Sequence, residues 1–281
     1  MRLQDVLLYI DSYPEPTPTS AIGQAVNFCG ALDSKLSAIV LDVDIRAPGN
    51  WLAERVLGVS KLVAAEEAKS REAGRAALAF FKQEAERVGV FGQSLTGIAP
   101  HHCAAEHVVR AARTRDLCIV PLLDQLDDQR AVVEELIFWS GRPTLVFRPG
   151  SADLPSRPEV VAVAWDGSRG AARAVADALP LLERAREVRV FTAINEKPAA
   201  ISGVSSDLLR HLKSHGIDAV ADEVDVGRQK IGEALDGYVK DRGACLLIMG
   251  AYGHSKAREF VLGGATEHVL NHMKMPLFLS H

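Results

Sequence analysis

The sequence predicts an α/β protein with two tandem domains, each an open parallel sheet of five strands flanked by helices, of Rossmann-like type. Short apolar runs typical of buried strands alternate with helical patterns, and their order in the first half repeats in the second. A segment rich in Pro, Ser and Gly separates the halves. Such alternation predicts right-handed βαβ units, in which ligands bind at the carboxyl ends of the strands.

The first half contains its predicted elements in a regular order. They are strand 6–10 ending before Asp11, helix 20–32, strand 37–43, a helical region at 51–87, strand 117–120 and strand 143–147. The region 51–87 is rich in Ala, Glu, Lys and Arg, which favours a pair of amphipathic helices. We expect this pair to pack on the sheet or on a partner, and a lid over the second domain is the alternative.

The second half repeats this order. Its elements are strand 161–165 ending before Asp166, helix 171–184, strand 188–194, strand 246–249 and strand 276–280. We therefore predict one domain at residues 1–148, a linker at 149–158 and a second domain at 159–281.

The composition indicates a globular protein. The chain has 281 residues, 48% of them apolar, and a net charge of −4. Neither half has an excess of basic residues, which argues against a nucleic-acid partner. Apolar runs are too short to span a bilayer and no signal-like segment opens the sequence, so we expect no membrane partner and a cytoplasmic location. The four cysteines form no C-x-x-C pair and are expected to be reduced.

A glycine-rich segment follows the apolar run 246–249 and precedes a helical pattern. It comprises Gly250, Ala251, Tyr252 and Gly253, nine residues that begin with His254, and then Gly263, Gly264, Ala265 and Thr266. Glycines let the backbone approach an anion closely, and a helix N-terminus directs N–H groups and a positive dipole at it. The alternative is that the glycines only end a strand and permit turns.

The spacing fits neither the P-loop nor the dinucleotide fingerprint. It resembles the G-x2-G-x9-G-[S/T] motif of the universal stress protein family. The resemblance implies an adenine nucleotide alpha-hydrolase-like fold and a site for ATP, with or without Mg²⁺. It assigns Asp166 to the adenosine part of ATP and the backbone of Ala193 or Ile194 to adenine. Asp166 and Ser168 could instead only cap a helix.

The motif departs from the family pattern at one position. Gly264 stands where ATP-binding members usually have Ser or Thr, so a hydroxyl donor to phosphate is missing there. Thr266, two residues on, could supply a hydroxyl, while Gly264 still offers its N–H. We therefore expect weakened rather than abolished binding.

The first half has lost the glycine pattern. When the fourth strands are aligned, Pro121 stands opposite Gly250, Asp124 opposite Gly253, and Glu134 and Glu135 opposite Gly263 and Gly264. Carboxylates would repel phosphate, and side chains occupy positions that needed close backbone approach. We predict that the first domain is degenerate and binds no nucleotide there.

Other chemistry has weak support in the sequence. His268 and His272 would share a helix face, but no third metal ligand is evident, and we expect no metal site. No nucleophile with its base is found, so the expected activity is at most a weak ATPase.

Three functions remain open. The first is a stress-response regulatory protein that binds ATP in its second domain. The second is a non-catalytic dimeric interaction or scaffold protein with both sites degenerate, in which residues 276–280 form an apolar edge for a homodimer. The third is an enzyme that acts on another small phosphorylated substrate.

Overall fold

A computed structural model describes residues 2–45, 59–100, 103–123, 127–155, 157–194, 204–251 and 264–281. Its contacts divide the chain into two compact units, here called the N-terminal unit, Gln4–Ser140, and the C-terminal unit, chiefly Gly141–His281. Both are α/β structures in which most strands pair in parallel, so the predicted fold class is confirmed. The predicted domain and linker boundaries at 148 and 159 stay a prediction.

The N-terminal unit alternates strands and helices. Its elements are β1 (Asp5–Ile10), α1 (Thr19–Leu32), β2 (Lys35–Asp44), α2 (Val59–Val88), β3 (Phe91–Pro100), α3 (Ala104–Ala112), β4 (Leu117–Pro121) and α4 (Asp127–Trp139). The strands lie in the order β3-β2-β1-β4, with every pair parallel. β1 and β4 are almost completely buried, as expected for strands of a parallel sheet that helices cover on both faces.

Helix α2 is continuous over 30 residues and covers most of the region 51–87, for which the sequence predicted a pair of helices. It packs on α1 and β2, which is the first of the two predicted roles. Gly74 lies at the closest approach, because a Cβ there would come within 2.8 Å of Cγ1 of Val40. Residues 51–58 lie outside the described residues.

The C-terminal unit contains six described strands. Its elements are β5 (Thr144–Phe147), β6 (Val160–Ala164), α5 (Arg169–Leu182), β7 (Glu187–Ile194), α6 (Val204–Ser214), β8 (Ala219–Asp225), α7 (Ile231–Asp241), β9 (Leu246–Gly250), α8 (Gly264–His272) and β10 (Leu277–Ser280). Their order is β5-β10-β9-β6-β7-β8.

The last strand of the first half, β5, joins the sheet of the C-terminal unit. It pairs antiparallel with β10, whose other side pairs parallel with β9. β10 therefore has a strand of its own chain on each side. The prediction that residues 276–280 form an open edge for a homodimer is wrong for this reason.

No helix among the described residues is long and apolar enough to cross a membrane. The four cysteines are free, with Cys29 and Cys118 buried and Cys103 and Cys245 partly exposed.

Candidate functional site

Asp166 lies in the turn between β6 and α5. Gly167 adopts a φ of 72°, a conformation that favours glycine. Asp166 Oδ1 accepts a hydrogen bond from the backbone N–H of Ser168 at 2.9 Å, and Ser168 Oγ accepts one from the N–H of Ala171 at 3.1 Å. Ser168 thus takes the capping role that the alternative interpretation gave it, whereas Asp166 closes the turn that precedes the helix. The Asp166 side chain is nevertheless exposed at the carboxyl end of a central strand, where ligands bind in such sheets.

Gly250 ends β9 and lies against the first turn of α5. A Cβ at this position would come within 2.3 Å of the carbonyl carbon of Gly170 and 2.4 Å of the nitrogen of Ala171. Only glycine fits there without a backbone shift, because the strand and the helix approach each other so closely. The glycine at this position is therefore required by helix packing, whether or not an anion binds nearby.

Ala251 fixes the start of the glycine-rich segment. Its side chain is completely buried, its N–H donates to the carbonyl of Ser280 at 2.7 Å, and its carbonyl lies 3.0 Å from Nδ1 of His281. The segment thus leaves the sheet from an anchored position. Three predicted site residues, Gly253, His254 and Gly263, lie outside the described residues.

The segment ends at the first turn of α8. Gly264 is exposed, and an added Cβ would meet nothing within 4 Å. Ala265 is partly exposed, whereas Thr266 is only 3% exposed, so its hydroxyl lies inside the protein. The exposed face of this turn therefore offers backbone N–H groups at Gly264 and Ala265 rather than the Thr266 hydroxyl.

Ala193 and Ile194 form the end of β7. The last β6 residue, Ala164, pairs with Phe191, so β7 continues for three residues past β6 on the side where β6 ends. Ala193 and Ile194 are partly exposed and pair with β8. The carbonyl of Ile194 accepts the N–H of Val226 at 3.3 Å.

The strand order relates these positions. β6 lies between β7 and β9 and is parallel to both. The ends of three neighbouring strands therefore meet at the same edge of one sheet, and they carry Asp166, the pair Ala193 and Ile194, and Gly250. Sequence reasoning selected these residues one by one, and the topology brings them to one edge.

The corresponding edge of the N-terminal unit is closed by its own side chains. Asp11, which follows β1, is only 8% exposed. Gln129, from the start of α4, donates through Nε2 to Asp11 Oδ2 at 2.9 Å and accepts the N–H of Leu123 at 2.7 Å. Its amide thus joins the segments that follow β1 and β4. Sequence reasoning missed Gln129, and nothing in its surroundings in the sequence distinguishes it.

Helix α2 closes the other side of this edge. Ser12 Oγ donates to the carbonyl of Leu41 at 2.8 Å and lies 2.8 Å from Ser70 Oγ. Ser70 is completely buried and accepts the N–H of Val43 at 3.1 Å. The carboxyl ends of β1 and β2 are therefore bound to α2, at the position where the C-terminal unit exposes Asp166.

Two histidines of α8 stack on each other. The rings of His268 and His272 are 4.4 Å apart, and His272 Nδ1 lies 3.0 Å from the carbonyl of His268. Among the described residues, no group of three or more His, Cys, Asp or Glu side chains is placed to hold a metal.

Comparison with known proteins relates the second half of the chain to a known family. Residues 159–281 match the model of the Universal stress protein family. A universal stress protein from Archaeoglobus fulgidus DSM 4304 has a similar structure, with a TM-score of 0.74 and 13% identity, over 99% of this chain and 97% of that one.

Two solved structures from Pseudomonas aeruginosa are also similar in fold. One is a putative universal stress protein from strain UCBPP-PA14, with a TM-score of 0.60 and 13% identity over 99% of this chain and 93% of that one. The other, a functionally unknown protein from strain PAO1, has the same score and identity over 98% and 92%. No curated protein sequence matches the chain. Residues 159–281 therefore form a domain of the universal stress protein family.

Proposed function

We propose that the protein is a cytoplasmic stress-response regulator whose C-terminal unit binds an adenine nucleotide, ATP alone or with Mg²⁺. The site lies at the carboxyl ends of β6, β7 and β9. The observation that carries the proposal is the strand order, because it brings the exposed Asp166, the end of β7 and the glycine-rich segment to one edge.

Each group has a defined role in the proposed site. The carboxylate of Asp166 accepts hydrogen bonds from the ribose hydroxyls, and the backbone of Ala193 or Ile194 contacts adenine. The phosphates lie along the glycine-rich segment, against the first-turn N–H groups of α8 at Gly264 and Ala265. Gly253, His254 and Gly263 complete this segment in the family motif. Hydrolysis is slow at most, since the sequence offers no nucleophile with its base.

The closed edge of the N-terminal unit supports the proposal that each chain has a single site, in its C-terminal unit. Its equivalent aspartate, Asp11, is buried and bonded to Gln129, and Ser70 of α2 bonds the neighbouring strand ends. A nucleotide could enter there only if these buried hydrogen bonds were broken. One chain therefore binds one nucleotide.

The test is calorimetric titration of the full chain with ATP and Mg²⁺, supported by the fluorescence of Trp165, which adjoins Asp166. Gly264→Asp and Gly264→Ser are the informative variants, because a side chain at Gly264 meets no obstacle. The aspartate opposes phosphate at a helix N-terminus, and binding should weaken by at least about tenfold. The serine restores the missing hydroxyl, and binding should tighten by about tenfold.

The matched control is Gly23→Asp in α1 of the N-terminal unit, where an added Cβ also meets nothing within 4 Å. This variant should bind ATP as the wild type does. ATP affinity that is the same in Gly264→Asp as in the wild type would contradict the proposed site.

The second candidate is a non-catalytic dimeric interaction protein. It is favoured by the closed edge of the N-terminal unit together with the missing hydroxyl at Gly264. If the protein does not bind ATP at millimolar concentration, with or without Mg²⁺, this second candidate is favoured over the first.

A further inference from the structure

The outer edge of β3 has unusual properties for an exposed strand. β3 stands at the end of the strand order in the N-terminal unit, and none of the described strands pairs with its outer side. It spans ten residues, Phe91–Pro100, where about five or six are usual. A long free edge is a template for another strand, and proteins normally protect it with charges, proline or a bulge.

Such protection lies only at the two ends of β3. The pairing with β2 has a register shift near Gly92, where three residues of β3 face two of β2. From Ser94 onward the two strands pair residue for residue up to Pro100 at the very end. The sequence of β3 contains no charged residue. The regular stretch Ser94–Ala99 is therefore long enough and neutral enough to accept another strand.

The outer strand of the C-terminal unit provides the contrast. β8, Ala219–Asp225, is shorter and carries three acidic residues, Asp222, Glu223 and Asp225. Two copies of β8 would bring like charges together, which disfavours self-pairing. β3 has no comparable obstacle.

The exposed side chains of β3 form a continuous neutral row. Ser94, Thr96 and Ile98 alternate along the strand and are all exposed, with Ile98 at 70%. Alternate residues point to the same face of a sheet, so the three lie side by side. An exposed isoleucine next to a β-branched threonine on the same face is suited to cross-strand packing.

We infer that β3 is a homodimerisation edge, and that it pairs antiparallel with β3 of a second copy of this chain about a two-fold axis at Thr96. Thr96 then faces its counterpart, and Ser94 faces Ile98 of the second copy. A two-fold contact needs a self-complementary surface, and this row is self-complementary because every facing pair is uncharged. A neutral edge also has no charge with which to select an acidic or basic peptide.

The experiment is sedimentation of the full chain over a concentration series. The wild type should be a dimer. Thr96→Lys and Thr96→Glu each place like charges opposite each other at the axis and should raise the dimer dissociation constant by at least about tenfold. An equimolar mixture of the two variants should dimerise again, because opposite charges then face each other.

Val220→Lys is the matched control, since Val220 is 48% exposed on β8, the other outer strand. It should leave the dimer unchanged, and circular dichroism should show native folds in all variants because the substituted residues are exposed. A wild type that stays monomeric would overturn the inference. Dimerisation that tolerates Thr96→Lys, or a mixture that stays monomeric, would overturn it as well.

Discussion

Two glycines of one motif do different physical work. Gly250 permits the contact between β9 and α5, where a Cβ would strike backbone at 2.3 Å. Gly264 begins α8 in open space. The spacing of the motif is compatible with both roles and could not separate them, since the distance to α5 depends on the tertiary structure.

This difference predicts that alanine at the two positions lowers the free energy of unfolding by very different amounts. Gly250→Ala should lower the free energy of unfolding by about 3 kcal/mol, because the backbone of Gly170 cannot yield cheaply. Gly264→Ala should change it by less than about 1 kcal/mol. Urea denaturation of both variants measures this, and equal losses would contradict the account.

Gln129 is the residue that closes the edge of the N-terminal unit. It is 2% exposed, and its amide satisfies Asp11 and the N–H of Leu123. Gln129→Ala leaves both groups buried without this partner and should lower the free energy of unfolding by about 1–3 kcal/mol. Gln229→Ala, at an exposed glutamine, is the control and should have little effect. If the two variants have the same stability in urea, the bridge contributes nothing.

At the scale of elements, the sequence predicted eight of the ten described strands, and helices α1 and α5, to within a few residues, because apolar runs and helical periods are local signals. It gave no bounds for β3, β8, α3, α4, α6 and α7. The prediction failed where the tertiary structure decides which element a strand or helix packs against. β5 has the same apolar pattern whichever sheet it joins, so its pairing with β10 could not be predicted. The charge pattern of 51–87 indicated amphipathic helix, but it did not show that α2 is continuous over Val59–Val88.

A polar network joins β7, β8 and α7. Arg189 donates to both carboxylate oxygens of Asp222 at 2.8 and 3.0 Å, and the hydroxyl of Tyr238 donates to Asp222 at 2.7 Å. Desolvation raises the pKa of Asp222, but the hydrogen bonds from Arg189 and Tyr238 outweigh it and lower that pKa below the ordinary value of 3.8. The network therefore stabilises the fold when Asp222 is ionised.

The lowered pKa predicts an acid dependence. The stabilisation is complete above pH 3.8, the ordinary value, and is lost as the pH falls through the lower pKa of the folded state. Asp222→Asn should lower the free energy of unfolding by about 1–3 kcal/mol at pH 7. Below pH 4 the free energies of unfolding of the variant and the wild type should differ by less. Urea denaturation across this range measures it. A difference that stays constant with pH would contradict the role of the ionised carboxylate.

At the scale of the whole molecule, the repeated pattern and the glycine spacing were sufficient to predict the fold class and the family of the domain at residues 159–281. The candidate site was only partly predictable. Asp166 and Gly250 follow strands and could be selected from the sequence, whereas the buried position of Thr266 depends on how α8 packs. The closed edge of the N-terminal unit combines Asp11, Ser70 and Gln129, which are far apart in the sequence and meet only in the fold.

We propose one open nucleotide site per chain, in the C-terminal unit, while the equivalent edge of the N-terminal unit is closed by its own side chains. The stoichiometry of ATP binding to the full chain, measured by calorimetry with Mg²⁺ present, tests this most directly. We expect the wild type to bind one ATP per chain and the Gly264→Asp variant to bind ATP with lower affinity. Two bound nucleotides per chain would contradict the closed N-terminal edge, and the absence of binding at millimolar ATP would contradict the site itself.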